Sequence, residues 1–179
     1  MFMRRFICLM FALGCLALAH QPLLNAGSAS RESPYEITDV GVSKVITAQS
    51  QGAGQHWYRL TVPAGFALDA TLFVGASCAA SFAPDLWLVG PGLPQVTAPF
   101  DTGSGGAVMV TGRWTAYQGH GLSARKGQTL RRTLGAGTYF LVVNRDQAPG
   151  WMMLSMGGRE EGGGTPDGRA ALTRFNRCR

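Results

Sequence analysis

The chain has 179 residues, of which 46% are hydrophobic and 15% charged, with 16 basic against 10 acidic side chains and a formal net charge of +6. That apolar content and length exclude a disordered or collagen-like chain and suit one folded domain around a single core. The basic excess comes without any basic-aromatic motif of a nucleic-acid reader, so nucleic acid is not an expected partner.

Residues 1–19 read as an export signal. Arg4 and Arg5 form a short basic region, residues 6–19 are an almost unbroken apolar run, and Ala17-Leu18-Ala19 is a small-x-small cleavage site. The run falls short of the ~20 apolar residues of a membrane span, and no later segment approaches that length. A second cut, after Ala29, stays open. Two rival readings rank lower. Phe6 follows the arginine pair one place too early for twin-arginine export, and Ala12 stands where a lipid-modified Cys15 expects leucine. Cutting after Ala19 leaves 160 residues carrying 14 basic and 10 acidic side chains.

Residues 20–34 have no period and are expected as a flexible arm. Residues 35–46 alternate weakly and predict an edge strand, and 49–55 a turn. Residues 56–62 (HWYRLTV) alternate cleanly, with Trp57, Arg59 and Thr61 on one face and Tyr58, Leu60 and Val62 on the other. Pro63-Ala64-Gly65 predicts a tight turn, with residues 66–75 returning as the antiparallel partner. Residues 76–83 form a small-residue loop carrying Cys78. Residues 84–89 are a strand that Pro91 and Pro94 must end, because proline cannot continue a ladder. A glycine-rich loop spans 99–106, a buried strand 107–111, and residues 113–117 continue at an angle or as a bulge. Residues 119–126 are expected as an exposed loop.

Residues 130–157 organise the rest. Thr138, Phe140 and Val142 alternate with Tyr139, Leu141 and Val143, so both faces are largely apolar, as in a central strand. Residues 144–150 supply turn chemistry, and 151–156 the returning strand. After Arg159 a glycine-rich linker leads to a short tail. Residues 167–178 can make one helix, started near Thr165 or Asp167, with Ala170, Ala171, Leu172 and Phe175 as its apolar stripe, if a surface is there for it to lie on; sequence leaves its formation open. The expected fold is all-β: a single antiparallel β-sandwich or jelly roll of about eight or nine strands over 35–158, with a tail at 159–179.

The order of residues 57–65, 84–94 and 130–143 resembles the bacterial pre-peptidase C-terminal type of β-sandwich. It is also similar to exported bacterial proteins with a Leu-Val-Gly-Pro-Gly-Leu-Pro segment and a Gly-Arg-Glu-Glu ending, here residues 88–94 and 158–161. The resemblance covers about residues 55–161 and implies a non-catalytic accessory or binding domain. This chain departs from it by standing alone and by ending in a basic tail.

Cys8 and Cys15 belong to the leader. Cys78 and Cys178 form an even pair that an oxidising compartment invites to bond, and two free thiols are the alternative; sequence leaves both open. His56 and His120 lack metal spacing. A copper site built from them with Met109, Met152, Met153 and Met156 competes with plain packing of those methionines. Gly103-Ser104-Gly105 lacks the spacing of a nucleophile elbow. Asp85 with Asp101, or Asp39 with Asp69, stand in no context that marks a carboxylate pair. Cys78 as a nucleophile needs a free thiol, and the glycine runs lack the Lys-Ser/Thr of a phosphate loop.

Between Asp101 and Asp146 there is no acid, while Arg113, Arg125, Lys126, Arg131, Arg132 and Arg145 fall there. Such a face attracts anionic glycans, headgroups or acidic proteins, unless it is simply solvated surface. Trp114 and Tyr117 beside Arg113 are the candidate ligand-binding residues, against the plainer reading that each aromatic packs on the core. The expected function is an exported, non-enzymatic binding or structural accessory of the bacterial cell envelope. It acts on a protein or glycan partner and needs no cofactor; the alternatives are a carbohydrate-binding or glycan-processing protein, or a copper-handling one.

Overall fold

The computed structural model describes residues 20–145 and 148–178. The expected signal peptide, 1–19, and the turn residues Asp146 and Gln147 lie outside them. Two sheets form a sandwich closed by one helix. The six-stranded sheet runs in the order β1 (Gln21–Asn25), β3 (Lys44–Ser50), β11 (Gly150–Met156), β5 (Phe66–Gly75), β9 (Leu122–Leu134) and β8 (Thr115–Gly119). The five-stranded sheet runs β2 (Tyr35–Glu36), β4 (Gly54–Val62), β10 (Gly137–Arg145), β6 (Asp85–Gly90) and β7 (Gly106–Val110). Ile46, Leu60, Leu72, Leu88, Leu141 and Leu154 are fully buried in the main core.

β10 lies between β4 and β6, and both its faces are apolar because one packs in the main core and the other in a second buried cluster. Several expectations of pairing fail. β4 and β5 do not form a hairpin. Pro63-Ala64-Gly65 carries the chain from one sheet to the other, and β5 pairs instead with β11 and β9. β10 and β11 likewise lie in different sheets. Alternation marks which face of a strand is buried, and it is silent about which strand lies alongside. The expected edge strand at 35–46 is two strands, β2 in one sheet and β3 in the other. Because the chain visits the second sheet between β1 and β3, these two run parallel, as do β2 and β4, so the sandwich is not purely antiparallel.

The segment expected as an exposed loop at 119–126 is the start of β9. Its polar side chains are held: the Arg125 guanidinium donates to the carbonyls of Ala79, Ala80 and Phe82 at 2.9–3.1 Å. The expected flexible arm also carries structure, because β1 pairs with β3 along its whole length. Asn25 Oδ1 then accepts from the amides of Gly27 and Ser28 at 3.2 and 2.9 Å, and the Trp57 amide donates to the Ser28 carbonyl. Residues 26–34 thereby cross from one sheet to the face of the other.

The tail is helical over α1 (Pro166–Arg177). Thr165 caps it by accepting from the Gly168 amide at 3.0 Å, Pro166 occupies the first turn, and Cys178 closes it in a left-handed conformation at φ 52°. Ala171 and Phe175 are buried beneath it, against β1, β3 and β11. Gly168 lies so close to β1 that a Cβ there would stand 2.1 Å from the Pro22 carbonyl oxygen. Cys78 and Cys178 are joined by a disulfide, with Cα atoms 5.2 Å apart, which fastens the end of α1 to the loop after β5. No described helix is long and apolar enough to cross a membrane.

Candidate functional site

Period-two alternation puts Tyr58, Leu60, Leu86, Leu88, Leu141 and Val143 in the main core and turns their neighbours outward. On that outer face the register aligns Trp57, Val142, Trp87 and Met109 in one row, and Arg59, Phe140, Val89 and Ala107 in the next. Trp57, Trp87, Val89, Ala107 and Val142 form a second buried cluster. A sheet face that apolar needs a cover, and the connecting segments provide it. Phe100, from the loop between β6 and β7, sets its ring edge-on to both Trp57 and Trp87, with centroids 5.3 and 5.5 Å away. Edge-to-face contacts at this spacing add to the burial energy of each ring.

Arg31, from the segment between β1 and β2, lies over the Phe140 ring with its guanidinium carbon 5.7 Å from the centroid. Its far side abuts a bend at Gly103, where φ is +61° and a Cβ would fall 1.5 Å from an Arg31 nitrogen. The Gly103 amide donates to Asp101 Oδ1 at 2.7 Å, which fixes that bend. Two clefts flank Arg31. One of about 240 Å³ is lined by Ser30, Glu32, Gln55, Trp57, Phe100 and Asp101. The other, of about 170 Å³, is lined by Thr102, Ser104, Thr138 and Phe140 among others. A roomier cavity of about 340 Å³ opens beside Gly41, Phe66 and Arg159. There Arg159 already holds Asp39 at 2.8 Å and Glu161 at 2.6 Å, so its charge is neutralised within the protein.

The residues singled out by sequence stand elsewhere. Arg113, Trp114 and Tyr117 sit at the β8 edge of the other sheet. Arg113 is exposed; Trp114 and Tyr117 are half-buried. The Trp114 ring crosses Gly127, where a Cβ would lie 2.6 Å from it, and the Arg125 guanidinium is 5.8 Å from its centroid. Tyr117 packs edge-on to Phe73 at 5.2 Å. These aromatics therefore have partners inside the protein.

His56 is buried on β4, its Nε2–H donating to the Gln49 carbonyl at 3.3 Å. Burial, then the nearby charge of Arg145, lowers its pKa to about 4, so it is neutral at pH 7. Met152, Met153 and Met156 are buried in the core, while Met109 is 45% exposed at the end of its row. Among the described residues no group of three or more His, Cys, Asp or Glu stands close enough to hold a metal ion. Asp39 and Asp69 each pair with an arginine, Arg159 and Arg131 respectively. Cys78 is consumed in the disulfide. Sequence reading passed over Arg31, Gln55 and Phe100. The one available signal was Phe100, a large aromatic in a loop of small residues and prolines, which only packing on a nearby surface accounts for.

No protein-family model matches the chain, and no curated protein matches its sequence. The structure is similar to that of a periplasmic inhibitor of g-type lysozyme from Salmonella Typhimurium, PliG, at 14% identity and a TM-score of 0.41, over 69% of this chain and 96% of that one.

Proposed function

We propose that the chain is an exported, non-catalytic binding protein of the bacterial cell envelope, and that its ligand enters the cleft on the outer face of the five-stranded sheet. The observation that carries this reading is the cleft itself: a preformed concavity with aromatic walls and a few polar groups around Arg31, the usual make-up of a binding site. The Cys78–Cys178 disulfide supports export, since such bonds persist in oxidising compartments. Of the residues that general acid–base or nucleophilic chemistry would use, His56 is buried and neutral, Asp39 and Asp69 are ion-paired and Cys78 is bonded, which leaves Glu32 and Asp101 in the cleft itself.

The test is calorimetric and fluorescence titration of the exported chain with soluble peptidoglycan fragments, neutral and acidic oligosaccharides, and g-type lysozyme, the enzyme named for the similar inhibitor. We expect stoichiometric binding of one of these, weakened about tenfold or more, equivalent to ~1.4 kcal/mol, by Phe100→Ala. Turnover of any of these glycans that Asp101→Asn abolishes would establish an enzyme instead. The second reading is the edge surface of Arg113, Trp114 and Tyr117, favoured by Arg125 and Lys126 beside it; it is read from the same titration with Trp114→Ala.

A further inference from the structure

We propose that Arg31 is an anion-binding centre and that the ligand it receives is an acidic saccharide, a hydroxyl-rich unit bearing a carboxylate. This assignment rests on the cleft reading above and names what the cleft takes. Several arginines elsewhere are satisfied within the protein, but Arg145 is also half-buried with its Nε lacking a hydrogen-bond partner; what sets Arg31 apart is that it lines both clefts. Arg59, Arg131 and Arg159 each hold a carboxylate, and Arg125 holds three carbonyls. Arg31 is half-buried, yet among the described residues it has no ion pair and no hydrogen bond. Its contacts are the Phe140 face and the bend at Gly103. A guanidinium is always charged, so one that is partly desolvated and held on an aromatic ring is a fork prepared for a carboxylate or similar oxyanion.

The surroundings select among anions. Glu32 and Asp101 line the same cleft as Arg31. They disfavour a ligand with several negative charges, but as acceptors they suit hydroxyl hydrogens. Ser30, Thr102, Ser104 and Thr138 supply further hydroxyl partners on both sides. Phe100 and Phe140 offer the apolar surface that a sugar ring's C–H face covers. Each cleft is smaller than the ~300–1,000 Å³ of a drug-sized site and suits one sugar-sized unit, so the pair fits a disaccharide with its charge at the centre.

The experiment titrates the exported, disulfide-bonded chain with an aldobiouronic acid, one hexuronic acid joined to one neutral hexose, with its uncharged methyl ester, and with a sulfated heparin disaccharide. The expected result is at least tenfold tighter binding of the free acid than of the ester. Arg31→Gln should bring the acid to the level of the ester, and Arg169→Gln, on the exposed face of α1, should leave both unchanged. Equal affinity for acid and ester, tighter binding of the sulfated sugar, or an unaltered acid preference in Arg31→Gln would each overturn the assignment. If near-ultraviolet circular dichroism shows that Arg31→Gln does not fold, Arg31→Lys decides, because it keeps the charge and loses the planar fork. A threefold or larger loss of acid preference supports the proposal, and any smaller change overturns it. Failure of both the aldobiouronic acid and its ester to bind overturns the acidic-sugar assignment alone; the cleft reading falls only if Phe100→Ala also leaves every other binding partner unaffected.

Discussion

At the scale of single residues, His56 shows how burial becomes a dependence on pH. Its side chain is nearly inaccessible, at 4% exposure, and its pKa lies near 4 against an ordinary value of 6.5. Above about pH 6.5 the imidazole is neutral in both folded and unfolded chains and favours neither. Between that pH and about 4 the unfolded chain takes up a proton that the folded one refuses, so stability falls on acidification. The shift corresponds to roughly 3 kcal/mol, lost over that window and constant below it. Urea unfolding at pH 7 and pH 4 should show the difference, and His56→Leu should remove most of it. A wild-type curve no steeper in pH than that of the variant would show that the histidine is free to ionise in place.

At the scale of elements, α1 depends on the sheet beneath it. A helix of 12 residues is marginal alone in water, so its Thr165 cap and its contact with β1 and β3 must hold it in place. Phe175, fully buried, is the largest apolar side chain on that contact. Phe175→Ala should cost about 3–5 kcal/mol, read by urea unfolding. Protease cleavage in the glycine-rich segment 162–164 should quicken at the same time.

The start and apolar stripe of this helix were readable in advance, because Thr165-Pro166 and the spacing of Ala171 and Phe175 are local signals; that it forms was not, because so short a helix depends on the surface beneath it. β10 was readable too, its two apolar faces requiring cover on both sides. Partnership was not readable: nothing in Pro63-Ala64-Gly65 distinguishes a hairpin from a passage between layers. The first half of β9 escaped notice because Arg125 looks solvent-bound until the carbonyls of residues 79, 80 and 82 are seen around it. The cleft escaped for the same reason. Arg31, Gln55 and Phe100 come from three distant segments, brought to one face by the pairing of β10 with both β4 and β6 and by the Trp57 amide holding the Ser28 carbonyl.

For the whole molecule, the cysteine pair closes a loop of 100 residues, nearly the full span from the end of β5 to the last described residue. In the chain-entropy model a crosslink of that length stabilises by up to ~4.7 kcal/mol. Cys178→Ser should lower the urea midpoint correspondingly, and reductant should do the same to the wild type while leaving the variant unmoved. A midpoint insensitive to both would show that α1 stays docked without its covalent tie.

The alternation of consecutive strands between layers also governs when order can arise. β4 is followed by a strand of the opposite sheet, β10 likewise, and β10 meets β4 only after some 75 intervening residues have been made. Closing loops of that kind is slow, because the entropy is lost before the contacts form. A chain so arranged stays threadable while it is being synthesised, and the cysteine that locks it comes after every strand.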